Sequence, residues 1–206
     1  AWLLNKVKAD PNTQMATQYN LNMDDMTRRY GFAVSNNLVM DLQASMIQVQ
    51  QQQGMFSIVN MVRYPAFPEI RDFNQASPIV KDFQTMSVFY ASSIDTTPAA
   101  GLGLTITPLF FSSEHTQVQQ GRYDINPMPQ FKREDFQGGR KLLAATLQGS
   151  FKSAFEGKFV PHPTDSTATI PAVNIVSQSP ESRMVVIGEG NFVQGQYAQG
   201  GPGLVL

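Results

Sequence analysis

The sequence predicts an α/β domain with a strand-rich middle, with α+β as the alternative. Three observations carry that expectation. An apolar run of strand length, Arg183 to Ile187, ends in the turn Gly188-Glu189-Gly190-Asn191, the way a buried strand delivers its C-terminal edge in α/β proteins. Residues 22–31 carry the polar punctuation of a short helix. Between these ends, several runs alternate apolar and polar residues with the period of a strand.

Taken in order, Ala1 to Val7 is an apolar strand candidate, and Asp10-Pro11-Asn12 marks a turn in the polar stretch that follows. Asn22 is the expected cap of the helix, Asp24 and Asp25 suit its positive first turn, Arg28 and Arg29 its last, and Gly31 its end. Asn37 to Leu42 reads as a strand. Ile47 to Val62 reads as a β-hairpin, with Gln51-Gln52-Gln53-Gly54 as a solvated tip. Tyr64-Pro65-Ala66-Phe67-Pro68 must be extended, because each proline drives its predecessor out of the helical region. Ser77 to Phe83 reads as a turn or short helical piece. Ser87 to Ile94, Thr105 to Phe111 and Leu142 to Leu147 read as strands, and Gly149 to Phe155 as a turn with a short helix. Residues 161–182 read as a loop before the last core strand, and 194–206 as a flexible Gly- and Gln-rich end.

Composition excludes several function classes. The 206 residues are 42% hydrophobic and 15% charged, enough for one sizeable core in a single domain spanning 1–206. Net charge is -1 with no basic block, so nucleic acid and anionic membrane surfaces find no electrostatic footprint. The chain has no Cys, which removes thiol catalysis, disulfides and thiolate metal sites. No window approaches the roughly 18 apolar residues of a membrane helix. Ala1-Trp2-Leu3-Leu4 and Gly203-Leu204-Val205-Leu206 do not resemble natural termini, so the chain reads as a piece of a longer one whose membrane anchors lie outside it.

Catalytic chemistry is sparse. Each histidine, His115 and His162, sits in a polar or Pro-flanked loop and reads as a surface residue. Gly149-Ser150-Phe151 lacks the Gly-x-Ser-x-Gly pattern of a nucleophile elbow. Gly188 and Gly190 follow a strand as a dinucleotide fingerprint would, but Val193 occupies its third glycine position. The expectation is therefore no enzyme, no cofactor and no metal site. Glu189 and Asn191 are the best polar pair at a strand end, suited to a ligand hydroxyl or to capping the next element. Asp41 stands at another strand end. Arg63 and Tyr64 place a guanidinium beside a ring, which suits a carboxylate or sugar and equally suits internal packing. These five residues are the candidate site for a small polar ligand.

Five stretches in this order resemble a known family: Asn22 to Gly31 with Leu38 to Gln43; Arg63 to Pro68 before Ser77-Pro78-Ile79-Val80; Phe89 to Asp95; Leu147 to Phe155; and Met184 to Phe192. Together they are similar to the extracytoplasmic domain of the gliding-motility-associated, GldG-like component of ABC transporters, within an uncharacterised ABC-type transport system family. The resemblance implies a three-layer sheet related to class I glutamine-amidotransferase-like or flavodoxin-like folds. It also implies ABC permease and ATPase subunits as partners, and a periplasmic, membrane-anchored location. Relatives often carry a second acid where this chain has Asn191. The resemblance assigns no ligand-binding residue. The leading expectation is a non-catalytic transporter component acting through protein–protein contacts; the alternative is a receptor for a sugar or small polar ligand.

Overall fold

A computed structural model describes residues 1–10, 13–53, 56–127, 131–156, 160–161, 169–170 and 176–191. The strands in chain order are β1 (Trp2–Leu3), β2 (Val7–Asp10), β3 (Met15–Gln18), β4 (Ala33–Val34), β5 (Leu38–Asp41), β6 (Ala44–Gln53), β7 (Phe56–Ile70), β8 (Asp72–Phe73), β9 (Met86–Ser87), β10 (Ile94–Asp95), β11 (Thr105–Phe111), β12 (Thr116–Gln119), β13 (Tyr123–Asp124), β14 (Leu142–Gly149), β15 (Val160–Pro161), β16 (Thr169–Ile170) and β17 (Ser182–Ile187). Helix α1 (Asp24–Arg29) and two 3₁₀ turns, Thr97–Ala99 and Arg133–Asp135, complete the described elements. The protein is strand-rich with mixed sheets, which fits the broad α/β or α+β expectation. The largest sheet runs β1-β17-β14-β11-β8. Its β1/β17 pair is parallel and its other ladders are antiparallel. Doubly wound sheets link parallel strands through helices; here α1 spans six residues.

Three apolar clusters form the core. One gathers Leu38, Met40, Ile47, Val49, Tyr64, Phe67 and Tyr90 between β5, the hairpin base and the β2/β3 pair. A second packs Val39, Ile70, Leu109, Phe110 and Leu143 under the largest sheet. A third joins Phe32, Ile94, Leu147, Phe151 and Val186 near α1. β5 is buried at all four positions. Its alternate residues feed two clusters, Leu38 and Met40 the first and Val39 the second, as the two-residue strand period requires.

The structure departs from several expectations for local reasons. Asn22 does not cap α1: its φ is 52°, Met23 takes the cap position, and the Asn22 N–H donates to Asn20 Oδ1 at 2.9 Å. Asp24 instead pairs with the buried Lys6 ammonium. Gly31, at φ 90°, ends the helix as expected. The alternating run Ser87 to Ile94 is a strand only at its ends. Tyr90 has φ 57°, which breaks the extended path, and Val88 to Ser92 are buried regardless of parity. The glutamines expected at a loop tip belong to β6, where Gln50, Gln51, Gln52 and Gln53 face Val59, Ile58, Ser57 and Phe56. Gly149 to Phe155 contributes a bridge at Lys152 and a turn, without a helix. Most of 161–182 and all of 194–206 lie outside the described residues, as does His162.

Candidate functional site

The five candidate residues separate into distinct settings. Gly188 is the junction that fixes the first. Its N–H donates to the Leu143 carbonyl at 2.9 Å, and its own carbonyl accepts the Ser92 N–H at 2.8 Å. A Cβ placed on Gly188 would lie 2.0 Å from the Ser92 carbonyl oxygen, so glycine is required by close approach between two backbones. The Gly-x-Gly turn is therefore a packing device between β17 and the 89–93 segment. Glu189 follows, fully buried, with Oε1 accepting the Asn191 N–H. The bond is a local side-chain-to-backbone turn; the chain after Asn191, which the expected cap would serve, lies outside the described residues.

Asn5 locks the same turn from the other side. Its Oδ1 accepts the Gly190 N–H at 2.6 Å and its Nδ2 donates to Asn191 Oδ1 at 2.9 Å. Asn191 Nδ2 reaches the Phe89 carbonyl at 3.5 Å. Asn5, Lys8, Tyr19, Tyr90 and Asn191 line a cavity of about 210 Å³ beside this clasp. Asn5 was not among the candidate residues. An asparagine two residues past a two-residue strand carries no signal of its own; its role depends on β1 lying parallel to β17.

Asp41 belongs to a different place. It is fully buried at the end of β5 and accepts three hydrogen bonds: Ser113 N–H at 2.7 Å, Ser113 Oγ–H at 2.5 Å and Gln43 N–H at 2.8 Å. Burial pushes its carboxyl above the ordinary carboxylate range, and the bonds from Ser113 and Gln43 only partly offset this. The carboxylate pins the 112–116 loop onto β5, where Thr116 faces Asp41. His115 is exposed and donates its backbone N–H to Ser113 Oγ at 3.0 Å; its imidazole makes no hydrogen bond among the described residues. A serine whose hydroxyl donates to a carboxylate, with no imidazole to take its proton, is not arranged as a nucleophile.

Arg63 and Tyr64 are neighbours on β7 and so point to opposite faces. Tyr64 is fully buried, edge-on to Phe67 at 4.6 Å, with its hydroxyl donating to the Ile125 carbonyl at 2.6 Å. Burial and the nearby Tyr90 push its ionisation far up, so the phenol stays protonated. Arg63 is exposed and donates Nη1–H to the Ala44 carbonyl at 2.8 Å, where the β6/β7 register slips. Tyr64 is thus internal packing, and Arg63 ties down the base of the hairpin.

Among the described residues no group of three or more His, Asp or Glu is placed to hold a metal ion, and no helix is long and apolar enough to cross a membrane.

The feature not singled out in the sequence is the outer face of the β6/β7 hairpin. Cross-strand neighbours share a face, so Met46 with Arg63, Gln48 with Met61, and Gln50 with Val59 form one side. Ile47 and Val49 turn to the core. Met46, Val59 and Met61 are 48%, 59% and 55% exposed. Among the described residues β6 pairs only with β7, and β9 joins β7 only at Glu69 and Ile70. From residue 42 to 68 the one charged side chain is Arg63. Edge strands that must stay solitary carry charges or are covered; this ribbon carries a single charge, and among the described residues no strand lies beside β6 on its outer edge. The alternation was legible, but which parity faces solvent depends on β2 and β3 covering the other side.

Neither the curated proteins nor the solved structures compared with this chain gave a match. A family model does match, over residues 1–203. The chain belongs to the ABC-type uncharacterized transport system family.

Proposed function

We propose that this chain is a non-catalytic component of an ABC-type transport system that works by protein–protein contact. Its partners would be the permease and ATPase subunits of the same system. The family is one of auxiliary components of such systems, which supports the transporter link. The gliding-motility-like specialisation and a periplasmic, membrane-anchored location follow the resemblance of the five sequence stretches and belong to the same proposal.

The observation that carries the contact reading is the outer hairpin face, where Met46, Val59 and Met61 are exposed and Arg63 is the one charged side chain. Interface cores are depleted in charge and enriched in Met, and an unpaired strand edge offers backbone groups to a partner. The occupant proposed is an extracytoplasmic segment of the permease. The test is co-purification of the permease with the wild-type chain and with Val59→Lys/Met61→Lys. Loss of the permease with an unchanged melting temperature supports the reading; undiminished recovery contradicts it.

A second reading, a receptor for a sugar or small polar ligand, is favoured by the cavity where the Asn5 and Asn191 amides meet Tyr19 and Tyr90. Aromatic walls with convergent amides suit a sugar ring. A saturating sugar at about 100 times its dissociation constant would add about 2.7 kcal/mol of stability. A thermal-shift screen of mono- and disaccharides with no rise in melting temperature would remove this reading.

A further inference from the structure

The hairpin leaves one strand edge open. From Met46 to Gln53 the backbone of β6 hydrogen-bonds, among the described residues, only to β7. Alternate residues of such an edge turn N–H and C=O outward, and these groups template a further strand. β6 contains no charged residue, no proline and no glycine. Pro65 and Pro68 lie on β7 instead. The edge of β7 is taken at its far end. The Tyr90 N–H donates to the Ala66 carbonyl and the Val88 N–H to the Pro68 carbonyl, both at 3.0 Å, and β9 pairs with Glu69 and Ile70. β6 is therefore the edge with room for a full added strand.

The side chains along this edge suit a second copy of the same strand. Gln48 and Gln50 are both exposed. Gln50 Nε2 donates to Ser57 Oγ at 2.5 Å, which leaves its Oε1 as an acceptor. The Gln48 amide has no hydrogen-bond partner among the described residues. A two-fold axis through Val49 sets Gln48 of each copy opposite Gln50 of the other, in an antiparallel ladder from Met46 to Gln52. Opposite residues of antiparallel strands share a face, so the Gln48 Nε2–H of each copy meets the Gln50 Oε1 of the other. A strand that pairs with itself needs side chains that tolerate their own kind; an amide is both donor and acceptor, whereas Lys only donates and ionised Glu only accepts. Arg63 faces Met46 on β7, so in this register the two Arg63 stand about 20 Å apart along the strands, where salt screens their repulsion.

We propose that the β6 edge is a homodimer contact, in which two copies pair β6 with β6 antiparallel and join their hairpins into one four-stranded ribbon. Each copy uses its single β6 edge, so the assembly closes at two instead of growing. The outer faces then become contiguous, with Met46, Val59 and Met61 of both copies on one surface. The dimer uses the backbone edge and the permease contact uses the side-chain face. The dimer therefore does not rest on the permease contact, and either can fail without the other.

The test is sedimentation equilibrium over a concentration series. The wild-type chain should reach twice the monomer mass by about 100 µM. Gln48→Lys/Gln50→Lys and Gln48→Glu/Gln50→Glu each set like charges opposite one another, and each should weaken the dimer at least about tenfold. Mixed in equal amounts, the two variants should recover the dimer, because every Lys then meets a Glu. That recovery also shows that both variants fold. Val59→Lys/Met61→Lys, on the strand away from the edge, should stay dimeric whether or not it retains the permease. A wild-type monomer at every concentration overturns the proposal. So does growth beyond the dimer, or a dimer that survives unweakened in both charged β6 variants.

Discussion

Ser113 gives both its backbone N–H and its hydroxyl to the carboxylate of Asp41, at 2.7 and 2.5 Å, across 72 residues of chain. Together with the Gln43 N–H, these bonds satisfy a fully buried acid and fasten the loop before β12 to the end of β5. An acid held this way is a structural pin, although its residue type and strand-end position suggest a ligand site.

Burial raises the folded-state pKa of Asp41 above its ordinary value of 3.8. The native state therefore binds this proton more tightly than the unfolded chain. The resulting stability is fully present below pH 3.8 and is lost as pH rises through the folded pKa. Asp41→Asn should cost about 1–3 kcal/mol, because its amide NH₂ would oppose one of the Ser113 donors. Urea unfolding at a series of pH values should show the wild-type advantage shrinking as pH rises from about 4. An advantage that grows with pH would mean that the hydrogen bonds outweigh burial.

Gly188→Ala should destabilise the protein by about 2–4 kcal/mol, since the added methyl meets the Ser92 carbonyl rather than a movable side chain. Gly190→Ala should cost less, because its nearest contact is Leu3 Cβ at 3.4 Å. Equal denaturation midpoints for the two variants would contradict the assignment of Gly188 as the packing glycine.

Tyr64→Phe keeps the ring against Phe67 but leaves the Ile125 carbonyl without its hydroxyl donor. A loss of about 1–2 kcal/mol is expected. Tyr64→Ala should lose about 3–5 kcal/mol, as for other buried aromatics. If Tyr64 served a ligand instead, the Phe variant would match wild type in thermal denaturation.

Sequence reasoning reached those elements whose signal is local. The strands around Thr105 to Phe111, Leu142 to Leu147 and Arg183 to Ile187 are visible because apolar runs bounded by turn residues need no partner to be recognised. The hairpin from Ile47 to Val62 is legible by its alternation, yet its glutamines extend the strand where composition alone suggests a tip. What stayed hidden depends on distant neighbours. Tyr90 is left-handed where three successive residues each meet a different partner: the Phe89 carbonyl accepts from Asn191 Nδ2, the Tyr90 N–H donates to the Ala66 carbonyl, and the Ala91 carbonyl accepts the Val39 N–H. Asn22 misses its cap because Asn20 captures its N–H. At the candidate site, Glu189 and Asn191 do lie together, and Asn5, which completes their clasp, is 185 residues away from Gly190. Asp41, Arg63 and Tyr64 each have a separate structural partner.

Val59→Lys/Met61→Lys should leave stability within about 0.5 kcal/mol of wild type, because both side chains are already in water. A similar change at Val49, on the covered face of β6, should prevent folding. Parallel melting curves of the two variants check which face of the hairpin is free. Similar losses from both would mean that the outer face is also covered.

The contact account is tested most directly by placing a photo-crosslinking amino acid at Met61 and irradiating cells that express the whole transport system. A crosslinked product between this chain and the permease, abolished by moving the probe to Ile79, which is exposed and outside the hairpin, is the result expected. Crosslinking from position 61 to solvent alone, with the permease recovered unmodified, would contradict the claim that this hairpin face is where the protein acts.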